Sequence, residues 1–184
     1  MGRDGGLLPP RRRMPDDVYV ITARKPSRWR QQWDVARDGE PLARFDQATF
    51  RNRGRFTLDG RDHLVKGLGI GTKYALYAAR VDGGEASDSG PVLAEATRVG
   101  RKDWSITTEG RTFHFRRRSM WRPDQDLVDD TDAVVGSIRR ASMWNLTADA
   151  DLPGLPDPVA VFAVLVVVLM WEASASAAAS TGGA

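Results

Sequence analysis

The sequence predicts a mainly β protein, a closed antiparallel β-barrel of about 10–12 strands enclosing an apolar C-terminal α-helix. Three observations carry this. Turn signals punctuate the chain at Asp38-Gly39, Asp59-Gly60, Asp82-Gly83-Gly84, Ser89-Gly90, Gly100 and Glu109-Gly110, with Pro123 and Gly136 beyond. Between them lie short stretches, many alternating apolar and polar with period two. The third observation is the run from Val159 to Trp171, which has no charged or hydroxyl side chain.

Residues 1–16, rich in Gly, Pro and Arg, are expected to form a disordered basic leader. No apolar segment follows Arg11-Arg12-Arg13 in the way a secretory signal requires, and Gly6 stands where a myristoylation signal needs Ser or Thr. One domain is expected over residues 17–172. Its predicted strands are Val18–Ala23, Gln32–Ala36, Leu42–Asp46, Arg55–Leu58, Leu64–Lys66 and Lys73–Val81 in the first half. Val92–Val99, Trp104–Thr108, Thr112–Arg116, Val134–Arg139 and Met143–Thr147 follow. No segment before residue 150 carries a sustained helical stripe, and closing so many short strands into a barrel removes their exposed edges.

Asp157-Pro158 supplies an N-cap with proline at the first helical position, which predicts a helix over about 157–172. Its apolar run is longer than a usual strand and does not alternate. A helix apolar on every face needs apolar surroundings on every face. A bilayer span takes about 20 residues with basic flanks, whereas this run is shorter and no Lys or Arg follows residue 140. The barrel is therefore its expected host, with a tail-anchored membrane protein as the alternative. Residues 173–184, rich in Ala, Ser and Gly, are expected to be disordered.

One pattern occurs twice. Trp33-Asp34-Val35 leads into Asp38-Gly39, and 71 residues later Trp104-Ser105-Ile106 leads into Glu109-Gly110. Each copy predicts a strand opening the same hairpin, with its Trp in the core.

The net charge of +3 is unevenly spread. Residues 1–140 hold all 27 bases against 20 of the 24 acids, a net of +7, and 23 of those bases are Arg. The absence of cysteine excludes disulfides, thiolate zinc sites, iron–sulfur clusters and thiol catalysis. Gly67-Leu-Gly69-Ile-Gly71-Thr72-Lys73 is not a phosphate loop, because Thr precedes Lys and a strand follows. It reads as a Gly-rich turn. The Asp124–Asp132 acids lack the Gly and Glu spacing of a calcium loop, and read as a solvated loop paired with the Arg116–Arg118 run. Two histidines, His63 and His114, without a G-x-S-x-G motif or metal spacing, suit surface or strand positions.

Several elements resemble the tubby C-terminal, LURP-one-related and phospholipid-scramblase-like group. They are Trp33-Asp34-Val35 with Asp38-Gly39, Phe56-Thr57-Leu58-Asp59-Gly60, Val135–Arg140, and the tail from Asp151 through Met170. The resemblance covers about residues 17–172 and is nearest to the compact bacterial members. It implies a barrel threaded by a C-terminal helix and a non-enzymatic, membrane-proximal domain that binds phospholipid or protein. The palmitoylated cysteines and calcium segment of scramblase-like members, and the lipid-binding basic pair of tubby proteins, have no counterpart here.

The function expected is accordingly non-catalytic binding of an anionic membrane surface or a protein partner. The candidate surface is Arg28, Trp29, Arg30, Arg116, Arg117, Arg118, Trp121 and Arg122, where arginine and tryptophan combine as at an anionic interface. No cofactor or metal is expected, nucleic acid is disfavoured as a partner, and the location expected is cytoplasmic, peripheral at the membrane. A small-ligand enzyme using His63 and Asp62 at a barrel mouth is the remaining alternative.

Overall fold

The structure, a computed structural model, describes residues 19–27, 30–48, 53–69, 71–82, 85–87, 90–142 and 147–181. The elements in chain order are β1 (Val20–Arg24), β2 (Gln32–Arg37), β3 (Glu40–Gln47), β4 (Arg53–Leu58), β5 (Arg61–Leu68), β6 (Lys73–Ala78), β7 (Arg80–Asp82) and β8 (Glu85–Ser87). Then come β9 (Val92–Thr97), β10 (Asp103–Thr108), β11 (Arg111–Arg117), β12 (Gln125–Val128), β13 (Val134–Ser142), β14 (Thr147–Asp151) and α1 (Asp157–Thr181).

Twelve strands close into an antiparallel barrel, in the order β1-β14-β13-β12-β11-β10-β9-β6-β5-β4-β3-β2. Pairing of Ile21 with Ala150 joins the first strand to the last. β7 and β8 form a separate two-stranded ribbon inserted between β6 and β9. Three of the hairpins turn through two residues that both have positive φ: Asp38-Gly39 (49°, 85°), Asp59-Gly60 (50°, 71°) and Glu109-Gly110 (47°, 74°). This geometry matches the right-handed twist of paired strands, and it is why an acid or amide followed by glycine recurs there.

The helix runs through the barrel. Ala160 to Val168 have no solvent exposure, and they share one core with inward side chains of the wall such as Ile21, Leu76, Ile106 and Ile138. Inward positions vary in size around the wall. α1 comes closest to β6 and β9 on one side and to β1 and β14 on the opposite side. There the buried inward residues include Ala94 and Ala96, and Ala23, Ala148 and Ala150. Large aromatics occupy the arcs between, with Trp33, Phe45 and Phe56 on β2, β3 and β4, and Trp104 and Phe115 on β10 and β11. On β9 and β14 small side chains make room for the helix, β1 and β6 set Ile21, Tyr74 and Leu76 inward beside it, and rings fill the arcs between.

The twice-occurring pattern forms two equivalent hairpins. Trp33 faces Phe45 across β2–β3, and Trp104 faces Phe115 across β10–β11, where the rings stack at 4.3 Å. A bulge between Val35 and Ala36 adds one residue to β3, which accounts for the aromatic partners lying 70 rather than 71 residues apart.

Four expectations are corrected. The acidic loop at 124–132 contains a strand, β12, whose residues are all buried; Gln125 and Leu127 face inward while Asp126 finds Arg118. The last strand is β14 at Thr147–Asp151, because the alternating Ala148 and Ala150 complete the wall against β1 and β13; residues 143–146 of the expected Met143–Thr147 lie outside the described residues. The expected strand Lys73–Val81 breaks at Ala79, where the chain enters the ribbon. The helix continues to Thr181 instead of giving way to disorder after 172, as strong alanine propensity allows. Ser174 and Ser176 donate to the carbonyls of Met170 and Glu172, so their hydroxyls stay within the helix's own bonding.

Candidate functional site

The barrel has two chemically different ends. α1 enters at the end holding the turns 38–39, 59–60, 109–110 and 129–133 and leaves at the opposite one. Among the described residues of those four entry-end turns there are six acids (Asp38, Asp59, Glu109, Asp129, Asp130 and Asp132) and no base, and the β6–β9 connection at the same end adds Arg80 against Asp82 and Glu85. The described connections at the exit end carry Lys25, Arg30, Arg98, Arg101, Lys102, Arg118 and Arg122 against one acid, Asp124, which is buried.

An ion pair fixes the helix at each end of its enclosed length. Arg37, inward on β2, pairs with Asp157 at 2.5 Å. At the exit Lys25, on the inward face below Ile21 and Ala23, pairs with Glu172 and lies 5.8 Å over the Trp33 ring. The one acid of the emerging helix is thereby consumed.

On the other side of the exit the inward faces of β11 and β13 end in arginine. Strand alternation puts Arg117 on the same face as Phe115, and Arg140 on the same face as Ile138. Arg117 and Arg140 join Arg101 of the β9–β10 connection around a pocket of about 310 Å³, closed by Met170 and Trp171 of α1. No carboxylate lines it among the described residues. Its floor is a satisfied polar network. Trp104 Nε1 donates to Gln125 Oε1 at 3.0 Å, and the Pro123 carbonyl accepts from Gln125 Nε2 at 2.8 Å and from Trp171 Nε1 at 3.1 Å. The Arg140 guanidinium lies 6.0 Å from the Trp171 ring.

The arginine triplet is split by this geometry. Arg116 points outward between Asp132 (2.7 Å) and Asp103 (3.1 Å), and its hydrogen bonds to Asp132 and Asp103 raise its pKa. Arg118 grips Asp126 with two nitrogens, at 2.9 and 3.1 Å, and hydrogen bonding to Asp126 likewise raises its pKa. Only Arg117 of the three has no acid partner among the described residues, and Arg101 shares that condition. The Arg118 grip and the Pro123 network pin both ends of the β11–β12 loop. Its tip projects, leaving Met120 85 % and Trp121 94 % exposed, with Arg122 exposed beside them. Arg30 is exposed on the β1–β2 connection of the same end. Arg28 and Trp29 lie outside the described residues.

The candidate surface therefore keeps Arg30, Arg117, Trp121 and Arg122 available, while Arg116 and Arg118 are neutralised. Arg101 and Arg140 were missed by sequence reasoning. For Arg140 the signal was the alternation from Ile138; for Arg101 no local signal exists, because it is a loop residue placed by the β9–β10 connection.

The other sequence motifs have structural employment. The Gly-rich segment is the β5–β6 turn, with Gly69 and Gly71 at φ of 69° and 73°. Asp129 caps its own turn by accepting from the Thr131 hydroxyl and from the Thr131 and Ala133 amides, and those bonds hold its pKa below the usual value. Asp124 Oδ1 accepts the Arg140 amide at 3.1 Å. The acids of this segment are thus dispersed, and no group of three or more His, Asp or Glu is disposed to hold a metal ion among the described residues. His114 is exposed on the outside of β11.

No protein-family model matches the chain, and neither a curated protein nor a solved structure matches it.

Proposed function

We propose that this chain is a non-catalytic barrel domain that docks its helix-exit end onto an anionic phospholipid surface, and that it is kin to the tubby, LURP-one-related and scramblase-like group. The supporting observation is the convergence of Arg101, Arg117 and Arg140 on a pocket without a carboxylate, next to a projecting Met120-Trp121 pair. Guanidinium groups recognise phosphate oxygens with paired, charge-assisted hydrogen bonds. An exposed tryptophan suits the headgroup layer, where one edge of the ring is wet and the rest apolar. A barrel closed around a C-terminal helix also supports the kinship.

Flotation with vesicles of phosphatidylcholine, with and without phosphatidylserine, tests this reading. Binding is expected only to the anionic vesicles and is expected to fall steeply as salt is raised from about 0.1 M, since charged headgroups contribute about 1 kcal/mol per basic residue near the surface. Arg117→Ala is expected to weaken it about fivefold on that scale, and Trp121→Ala to weaken it with less salt dependence. Absence of binding at low salt sinks the lipid assignment and turns attention to an acidic protein partner.

A further inference from the structure

The opposite mouth of the barrel is a second, chemically distinct site. A half-open cavity of about 790 Å³ lies where α1 enters, between the β4–β5 and β10–β11 hairpins and the ends of β6 and β9. Its lower wall is apolar, built from Leu58, Val92, Leu93, Pro158 and Val159. Its rim carries the acids Asp59 and Glu109 at the tips of their turns, with Arg61 of β5 the one base among the described lining residues; Asp62 shares the outer face of the sheet with Thr57.

A helix N-terminus ordinarily draws anions, but this one offers little to an anion. Pro158 has no N–H, and the amides of Val159 and Ala160 both donate to the Pro156 carbonyl, at 2.9 and 2.8 Å. Beside Arg61, the neutral polar side chains of the wall offer acceptors. Thr108 spends its hydroxyl on the Leu93 carbonyl at 2.8 Å. His63, buried and stacked on Phe56 at 4.8 Å, holds its Nδ1 3.0 Å from the Arg61 carbonyl. A carbonyl can only accept, so Nδ1 carries the proton and Nε2 presents a lone pair.

From an apolar wall, acceptors on its lining and an acidic rim we infer that this mouth binds a small amphiphile carrying a protonated amine, its hydrocarbon against Leu58, Pro158 and Val159 and its ammonium toward Asp59 and Glu109. Such a site is independent of the arginine pocket at the other end.

Calorimetric titration of the full chain with octylamine, octanol and octanoate tests it, because the three share a chain and differ in head group. Octylamine is expected to bind saturably and most tightly, and octanoate most weakly. The double variant Asp59→Asn, Glu109→Gln is expected to weaken octylamine about tenfold, the loss of two exposed charge contacts, and to leave octanol unchanged. Asn tolerates the positive φ at position 59, so the variant keeps its turn. Equal affinity for all three probes, tighter binding of octanoate, an unaffected double variant or no saturable binding overturns the inference.

Discussion

At the scale of single residues, the partners around a side chain decide its role. Arg116, Arg117 and Arg118 are identical in composition and adjacent in sequence, yet two are held by acids from β10, β12 and the β12–β13 turn and one is not. Alternation after Phe113 and Phe115 was legible; the positions of Asp103, Asp126 and Asp132 across the sheet were not, because register is set by tertiary pairing. His63 shows the same limit. The sequence placed it on the surface or in a strand, just ahead of the expected strand Leu64–Lys66, but its burial, which lowers its pKa below the ordinary value, comes from the packed mouth. A depressed histidine pKa means that the unfolded chain binds the proton first. Stability is therefore complete above about pH 6.5 and declines as pH falls below it toward the folded-state pKa. Urea unfolding between pH 7.5 and 5, as a rough range, is expected to show a fall that His63→Phe reduces; an identical fall in the variant means another group is responsible. Gly54 is a second residue-scale test. A Cβ there would collide with the ring of Phe45, which is fully buried and cannot swing out. Gly54→Ala is expected to destabilise by about 1–3 kcal/mol, visible as a lower midpoint in the same unfolding assay.

At the scale of elements, α1 is the core of the barrel as well as its last segment. Its existence and start were legible from Asp157-Pro158 and an uninterrupted apolar run, and its burial followed from having no polar face. The continuation to Thr181 was not legible, since an Ala/Ser sequence leaves little to distinguish a helix that has emerged into solvent from a frayed one. β12 was hidden for a different reason: four acids around Gln125–Val128 mask a strand whose inward residues are only two. Removing residues 152–184 would empty the barrel of side chains from Val159 to Val168, each of which is at most 3 % exposed. Since large buried residues contribute about 2–5 kcal/mol apiece, the truncated chain is expected to lose cooperative unfolding and to aggregate. Persistence of a monomeric folded product would refute the helix's structural role. A gentler probe is Ala96→Leu, which enlarges the wall where the helix comes nearest; the expected loss of about 1–3 kcal/mol should be absent for a comparable change at exposed Thr112.

At the scale of the whole molecule, the charges form a gradient along the barrel axis, acidic where the helix begins and basic where it leaves. The positive end of the helix macrodipole lies at the acidic mouth, with Asp157 in the first turn, while the negative end at Thr181 lies beyond the basic mouth and has no base in its last turn. Composition alone showed a basic body and a base-free tail, but not this division, because it depends on which connections the up-and-down topology brings to each end. The division predicts an orientation. The chain has no native cysteine, so single labels can be placed without removing any. An environment-sensitive fluorophore at Met120→Cys is expected to shift on adding anionic vesicles, and one at Asp59→Cys to stay unchanged. Responses at both positions, or at Asp59 alone, would contradict end-on docking.

The seam between β1 and β14 has a consequence in time. Thr22 reaches Asp149 across 127 residues of chain, so the first strand is made long before its partner. At about 5–20 residues per second, synthesis leaves that edge unpaired for roughly 6–25 s. The wall must also stay open until the helix that fills it has been translated, with inward aromatics such as Trp33 and Phe45 lacking their neighbours meanwhile. The nascent chain is thus committed to late, all-at-once closure, with its exposure to misassembly concentrated in the interval before the final helix arrives.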